Sequence, residues 1–317
     1  MHTLIPFATA TGPQCQKALE GLKLPHLGKL LQRLPPQPLQ AGKADALTPL
    51  HERIAAQSAG LSGPDGLIPW AAQCARARGL TTRHGPDGWA WITPCHWTVH
   101  ADHVEMADPA HMSLTAEDCA TLWAAMEPYF SEDGITLFAH AQDQSTRSWL
   151  VQGAVFRDLP TASLDRVACQ KVDSWMPRQN QAKTLRRLQN EMQMLLYTHP
   201  LNDARAQCKL PSINSFWVSG TGALDDSPTL ANVLTIHTAL RAPALNDAAA
   251  QWALAWHEID STLLAQALQR VGRGEPVQIT LCGTHRAITL QHREAGWWGR
   301  MTRRLADPQT LALLQTL

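Results

Sequence analysis

The chain has 317 residues, 44% of them hydrophobic and 17% charged, enough apolar side chain for one large core or two moderate ones. Lysine plus arginine equals aspartate plus glutamate at 27 each, so no net field draws the chain to nucleic acid or an anionic membrane, and any anion site has to be local. Met1-His2-Thr3-Leu4-Ile5-Pro6-Phe7 has neither a basic leader nor a long apolar run, and no segment approaches the roughly 20 apolar residues that span a bilayer, so a soluble cytoplasmic protein is expected.

In chain order, Leu4-Ile5-Pro6-Phe7 reads as a buried first strand that ends before Gly12-Pro13. A helix follows with Leu27, Leu30, Leu31 and Leu34 at helical spacing, and Pro35-Pro36 stops it by removing donors. Residues 35–43 read as a linker. The text from Thr93 to Val99 looks extended. Thr115 is a cap, with Asp118 as its capping-box partner, for a helix that buries Cys119, Leu122, Trp123 and Met126. Gly134 ends that unit, and Trp149-Leu150-Val151 before Gly153 is the next strand.

A second strong helix carries Leu185, Leu188, Met192, Leu195 and Leu196 on one face and Lys183, Arg186 and Arg187 on the other, ending at His199-Pro200. Gly220-Thr221-Gly222 reads as a turn, and Val233-Leu234-Thr235-Ile236 as a buried strand. A long helix then places Trp252, Trp256, Ile259 and Leu263 together and stops at Gly272 and Gly274. Val277 to Leu281 is a strand ending at Cys282-Gly283, the strand-helix-strand order of a parallel sheet. The seven cysteines, Cys15, Cys74, Cys95, Cys119, Cys169, Cys208 and Cys282, are odd in number and lack a CxxC pair, so they read as reduced, small core residues.

One segment carries a family pattern. Tyr197-Thr198-His199-Pro200-Leu201-Asn202-Asp203-Ala204-Arg205, followed by Lys209-Leu210-Pro211-Ser212-Ile213-Asn214 and Gly220-Thr221-Gly222, resembles a motif of the archaeal-type cofactor-independent phosphoglycerate mutases. There, histidine-proline-x-asparagine-x-x-arginine precedes a lysine-x-proline-x-asparagine stretch and a glycine pair. Weaker likenesses lie at Leu24 to Leu30, at His111 through Asp118, at Trp256-His257-Glu258-Ile259-Asp260, and at Ile279 to His285. The resemblance implies an alkaline-phosphatase-like α/β core sheet with helices on both faces, interrupted by an inserted α+β lid domain. The corresponding boundaries are 1–88 for the first core part, 89–222 for the lid and 223–317 for the second core part. It also implies two divalent metals and a serine that is transiently phosphorylated.

Four departures from the family pattern remove groups that its metal and nucleophile chemistry requires. The first strand continues Ala8-Thr9-Ala10-Thr11-Gly12, where the family has an aspartate ligand. The nucleophile stretch falls at Ser62-Gly63-Pro64-Asp65, with proline in the serine position. No aspartate-x-x-x-histidine pair lies between Ile236 and Trp252, where His237, Asn246 and Asp247 have other spacing. Thr284 stands where an aspartate precedes His285. Divalent cations beside phosphate need several anionic ligands to offset dehydration, and neutral side chains do not supply them.

Bland readings compete with the functional ones. Asn202 can cap a short helix with Arg205 and Lys209 near an anion, or His199, Asn202 and Arg205 can simply close a tight turn against backbone. Arg147 and Arg178 can line the same cleft, whereas Arg186 and Arg187 read as a solvated helix face. Cys95-His96-Trp97-Thr98-Val99-His100-Ala101-Asp102-His103, with His111 beyond, offers zinc-type ligands at poor spacing. On a strand His96 and His100 share a face and His103 points away, so only a loop brings three together. Twelve tryptophans against two tyrosines read as core packing, with Trp297-Trp298 as a candidate docking patch. His257, Glu258 and Asp260 fall on different faces of one helix.

The expectation is therefore a pseudoenzyme of the phosphoglycerate-mutase type, nearer the family's bacterial regulatory branch than its enzymes. It carries no metal and no cofactor, and takes a phosphorylated small molecule at His199, Asn202, Arg205, Lys209 and Asn214. Neither nucleic acid nor membrane is a partner; a protein partner is compatible. One alternative is an active manganese-type mutase or phosphatase with relocated ligands, drawn from Asp225, Asp226, Asp247, His257 and His285, of which His285 is the one catalytic candidate the family pattern marks. A second is an interaction scaffold.

Overall fold

The computed structural model describes residues 1–80, 87–143, 147–224, 233–291 and 310–317. The chain divides into two compact units. Unit 1 comprises Met1–Asp45, Pro49–Gly60 and Leu230–Leu317; unit 2 comprises Ala46–Thr48 and Leu61–Thr229.

Unit 1 begins with β1 (His2–Ile5), α1 (Pro13–Glu20), α2 (Pro25–Arg33), β2 (Gln40–Ala41) and α3 (Leu50–Ser58). Pro13 and Pro25 each open a helix in the first turn, where a missing N–H costs nothing. The 35–43 stretch is more than a linker: β2 pairs antiparallel with a later strand, and Gln37 N–H donates to Thr289 O at 2.8 Å. Phe7, expected inside the first strand, lies beyond it in a left-handed conformation, φ 58°.

Unit 2 runs through α4 (Trp70–Ala77), β3 (Gly88–Cys95), β4 (Trp97–Val99), β5 (Val104–Met106) and α5 (Ala116–Glu132). It continues with β6 (Thr136–Asp143), β7 (Ser148–Gly153), α6 (Leu164–Val167), α7 (Lys183–Tyr197), α8 (Pro200–Gln207) and β8 (Ser215–Gly222). Four strands form an antiparallel sheet in the order β6-β7-β3-β8, and β4 and β5 make a separate hairpin. Strand alternation divides the side chains between two faces. Ala90, Ile92, Trp149 and Val151 join Leu122, Met126, Leu185, Leu188 and Met192 in one core. Trp89 and Leu150 pack on Ala71, Ala72 and Ala75 of α4. That second face explains why residues 61–80 group with unit 2, although the sequence suggests a boundary at 88.

The Thr115 capping box is present with both of its hydrogen bonds. The strand β6 has no counterpart in the sequence reading. Gly220-Thr221-Gly222 is the end of β8 and not a turn; the left-handed φ of 64° at Gly220 accompanies an irregular register against Trp89–Trp91. A Cβ there would lie 3.1 Å from Trp91 Cδ1.

The chain returns to unit 1 with β9 (Thr235–Ile236), α9 (Arg241–Leu245), α10 (Ala249–Ile259), α11 (Ala265–Gly272), β10 (Gln278–Cys282), β11 (Arg286–Gln291) and α12 (Thr310–Gln315). The sheet order is β2-β11-β10-β1-β9, with β1 parallel to both β9 and β10 and β11 antiparallel. The stretch expected as a buried strand at 233–236 is short and exposed, Val233 at 91%, because β9 is the outer strand of this sheet among the described residues. Leu27, Leu30, Leu34, Trp252, Trp256, Ile259, Ile279 and Leu281 form the core. A single π turn, Asp260–Leu264, links α10 to α11. Among the described residues no helix is long and apolar enough to cross a membrane.

Candidate functional site

In sheets of parallel strands, ligands meet the segments that leave the strands' carboxyl ends. In unit 1 those segments are residues 6–12, 237–240 and 283–285. Their register is tight: His237 N–H donates to Leu4 O and Ala8 N–H to Cys282 O, both at 2.9 Å. The polar side chains they supply are Thr9, Thr11, His237, Thr238, Thr284 and His285. Thr9 approaches so closely that a Cβ on Gly283 would lie 2.4 Å from its Oγ1. Nδ1 of His237 is buried without a hydrogen-bond partner. His285 is exposed in the turn between β10 and β11, its carbonyl accepting from Gly42 N–H at 2.7 Å. None of the three segments contains a carboxylate.

The acidic residues that follow β9 serve elsewhere. Asp247 accepts from the N–H groups of Gln14 (3.1 Å) and Cys15 (2.9 Å), the open start of α1. Those bonds, Cys15's foremost, hold its carboxyl below the usual carboxylate range, while burial first and Asp247 second push the Cys15 thiol up to about 12. Asp260, 3% exposed, does the same for α2, accepting from His26 N–H at 3.1 Å and Leu27 N–H at 2.8 Å with His26 Nδ1 at 2.9 Å. His257 and Glu258, both in α10, are exposed.

In unit 2 the family-like segment folds into a clasp. His199 is the N-cap of α8, its Nδ1 accepting from Leu201 N–H at 3.2 Å. Asn202 is therefore three residues inside the helix and is not its cap. Its amide donates to Leu196 O and Ile213 O, both 2.8 Å, and accepts from Ile213 N–H at 2.7 Å. Arg205 is 2% exposed. Its Nε donates to Pro211 O (2.8 Å), Nη1 to Asp118 Oδ2 (2.9 Å) and Nη2 to Met112 O (2.5 Å). Asn214 brackets Trp97, accepting from its N–H at 2.7 Å and donating to its carbonyl at 2.8 Å. Lys209 is exposed and ends α8 in a left-handed conformation, φ 56°.

Arg178, Arg186 and Arg187 find their partners outside this clasp. Arg178 and Arg186 donate to the carbonyls of Asp173 and Pro177, and Arg187 pairs with Asp133 and Glu191. Asp65, in the Ser62–Asp65 stretch, accepts from Leu47 N–H (2.9 Å) and Thr48 N–H (3.0 Å). Asp225, Asp226 and Trp297-Trp298 lie outside the described residues.

No family model and no curated protein sequence matches the chain. Among solved structures it is similar to a cofactor-independent phosphoglycerate mutase from Thermoplasma acidophilum DSM 1728, with 13% identity, 99% of each chain covered and a TM-score of 0.35. It is also similar to the PH0037 protein from Pyrococcus horikoshii, with 15% identity over 100% of this chain and 98% of the other, and a TM-score of 0.39. Similarities at these values assign neither a fold nor an activity to this chain.

Proposed function

We propose that the chain is a phosphoglycerate-mutase-like protein with a degenerate metal site, serving as a regulatory or phospho-metabolite-binding protein. One observation carries the reading: the segments leaving the parallel strands of unit 1 present hydroxyls and imidazoles and no carboxylate. Asp247 and Asp260 hold helix starts instead. Two divalent cations side by side on a phosphoryl group need several anionic ligands. His237 and His285 with threonine hydroxyls do not fit that requirement, so no phosphoryl-transfer step is assigned to them.

The binding half of the proposal rests on the clasp. His199, Asn202, Arg205 and Asn214 give it shape through their bonds to backbone and to Asp118, and Lys209 is its exposed cation. Arg205→Ala therefore disturbs folding as well as charge and cannot isolate binding. Lys209→Asn removes the charge and keeps a residue type that tolerates the left-handed backbone.

The test pairs an assay with a screen. Turnover of 3-phosphoglycerate with added manganese is expected to stay at the buffer level, and turnover that His285→Ala abolishes would reject degeneracy. In a thermal-shift panel of phosphorylated metabolites, at least one compound should raise the melting temperature, and Lys209→Asn should reduce that shift. A panel without any shift rejects the ligand-binding half.

A further inference from the structure

The hairpin of β4 and β5 gathers a set of side chains that neither the strand ends of unit 1 nor the clasp uses. Two members of the histidine-rich stretch drop out of it. Cys95 is fully buried, and burial pushes its thiol well above the usual range, away from the thiolate a metal needs. His96 is held by Ser212, its Nδ1 lying 2.8 Å from the carbonyl and 3.1 Å from the hydroxyl.

What remains is brought together by the turn. His100 N–H donates to His103 O at 2.8 Å, folding residues 100–103 back so that the two imidazoles stack with centroids 4.6 Å apart and planes 16° from parallel. The antiparallel register of β4 and β5 sets Val99 against Val104 and Thr98 against Glu105. The Glu105 carboxylate thereby reaches both rings: one ligand atom from each of His100, His103 and Glu105 lies within 4.8 Å of the other two. Asp102 adds an orienting contact, with Oδ1 2.6 Å from His103 Nδ1. A proton on Nδ1 donated to that carboxylate leaves the lone pair of Nε2 for another partner. This is the outer-shell arrangement that fixes tautomer and raises ligand basicity at metal sites. The other carboxylate oxygen of Asp102, Oδ2, lies 3.5 Å from Lys171 Nζ.

We infer that His100, His103 and Glu105 form a binding site for a zinc-class divalent cation, with Asp102 as the positioning residue for His103. Two imidazoles and a carboxylate suit zinc, whereas magnesium and calcium favour all-oxygen sites. Zinc–nitrogen bonds near 2.0–2.1 Å place tetrahedral ligand atoms about 3.3 Å apart, so the three groups, which lie within 4.8 Å of one another, have to close by no more than about 1.5 Å. His100 is exposed in the turn. Three protein ligands leave the fourth position to water. This site lies wholly in unit 2 and does not depend on the reading of the strand ends in unit 1.

Cobalt(II) titration of the full chain, followed by its visible ligand-field absorption and by displacement with zinc, tests the inference. One equivalent of cobalt is expected to saturate the band. His100→Ala should weaken binding at least about 10-fold, and Asp102→Asn, which leaves all three ligands in place, by about 10- to 100-fold. Circular dichroism identifies any variant that fails to fold; His100 is exposed, and Asp102→Asn provides an independent second variant. No saturable band in the wild-type chain, or a folded His100→Ala variant that binds as tightly as wild type, would overturn the site.

Discussion

Arg205 shows how a residue picked out by local pattern takes its meaning from distant partners. Its spacing from His199 and Asn202 is visible in the sequence, but Asp118 and Met112, which receive two of its nitrogens, lie 87 and 93 residues away along the chain. A buried guanidinium with three oxygen partners holds the entry to α5, the end of α8 and the Pro211 segment together. Truncating one side of a buried ion pair leaves the other without compensation. Arg205→Ala is expected to destabilise unit 2 by about 3 kcal/mol or more, read as a lower urea midpoint, and Arg205→Lys should not restore it because a single ammonium does not reach three divergent oxygens. A midpoint within error of wild type would mean that the clasp contributes little. Asn214 is similar: nothing in the text around it indicates that its amide brackets Trp97.

The helices α1 and α2 have proline starts and no cap from their own sequence, and both are completed by aspartates more than 200 residues later. Gly12 is needed for the first of these contacts, since a Cβ there would fall 2.1 Å from Asp247 Oδ1. Gly12→Ala is expected to push that carboxylate off α1 and lower the melting temperature. The sign of the pH dependence follows from the lowered pKa of Asp247. Its contribution is complete above the ordinary carboxylate value of about 4 and is lost as pH falls through the lower folded value. Asp247→Asn keeps a residue suited to the left-handed φ of 49° and should flatten the stability profile in that acid range, whereas an unchanged profile would deny the charge a role. Local signals account for the elements that could be read in advance. Thr115 with Asp118 marks the start of α5, and leucine spacing marks α7. The strand β6 has no such signal, as its identity comes from pairing with β7. Glycines at 220 and 222 suggest a turn but serve an irregular strand that passes close to Trp91 and Pro69.

Across the molecule, composition was the most legible property and placement the least. The twelve tryptophans read as core residues, and among the described ones none is exposed. Of the seven cysteines, Cys15, Cys95, Cys119 and Cys282 are buried and Cys208 is exposed. A maleimide pulse on the native chain, read by mass spectrometry, should modify Cys208 first and reach those four only after unfolding; early labelling of Cys95 would contradict its burial. The proposed zinc-type site was half legible: His100 and His103 stood out, with the need for a loop to join them, whereas Glu105 enters only through the pairing of β4 with β5. The acids fixed at the starts of α1 and α2 have a further consequence for anyone trying to build a metal centre on this scaffold. Asp247 and Asp260 cannot be redeployed as ligands without releasing the helices they anchor. Such a centre would have to gain wholly new carboxylates at the strand ends, and one at position 9 would enter the close approach that Thr9 now makes to Gly283.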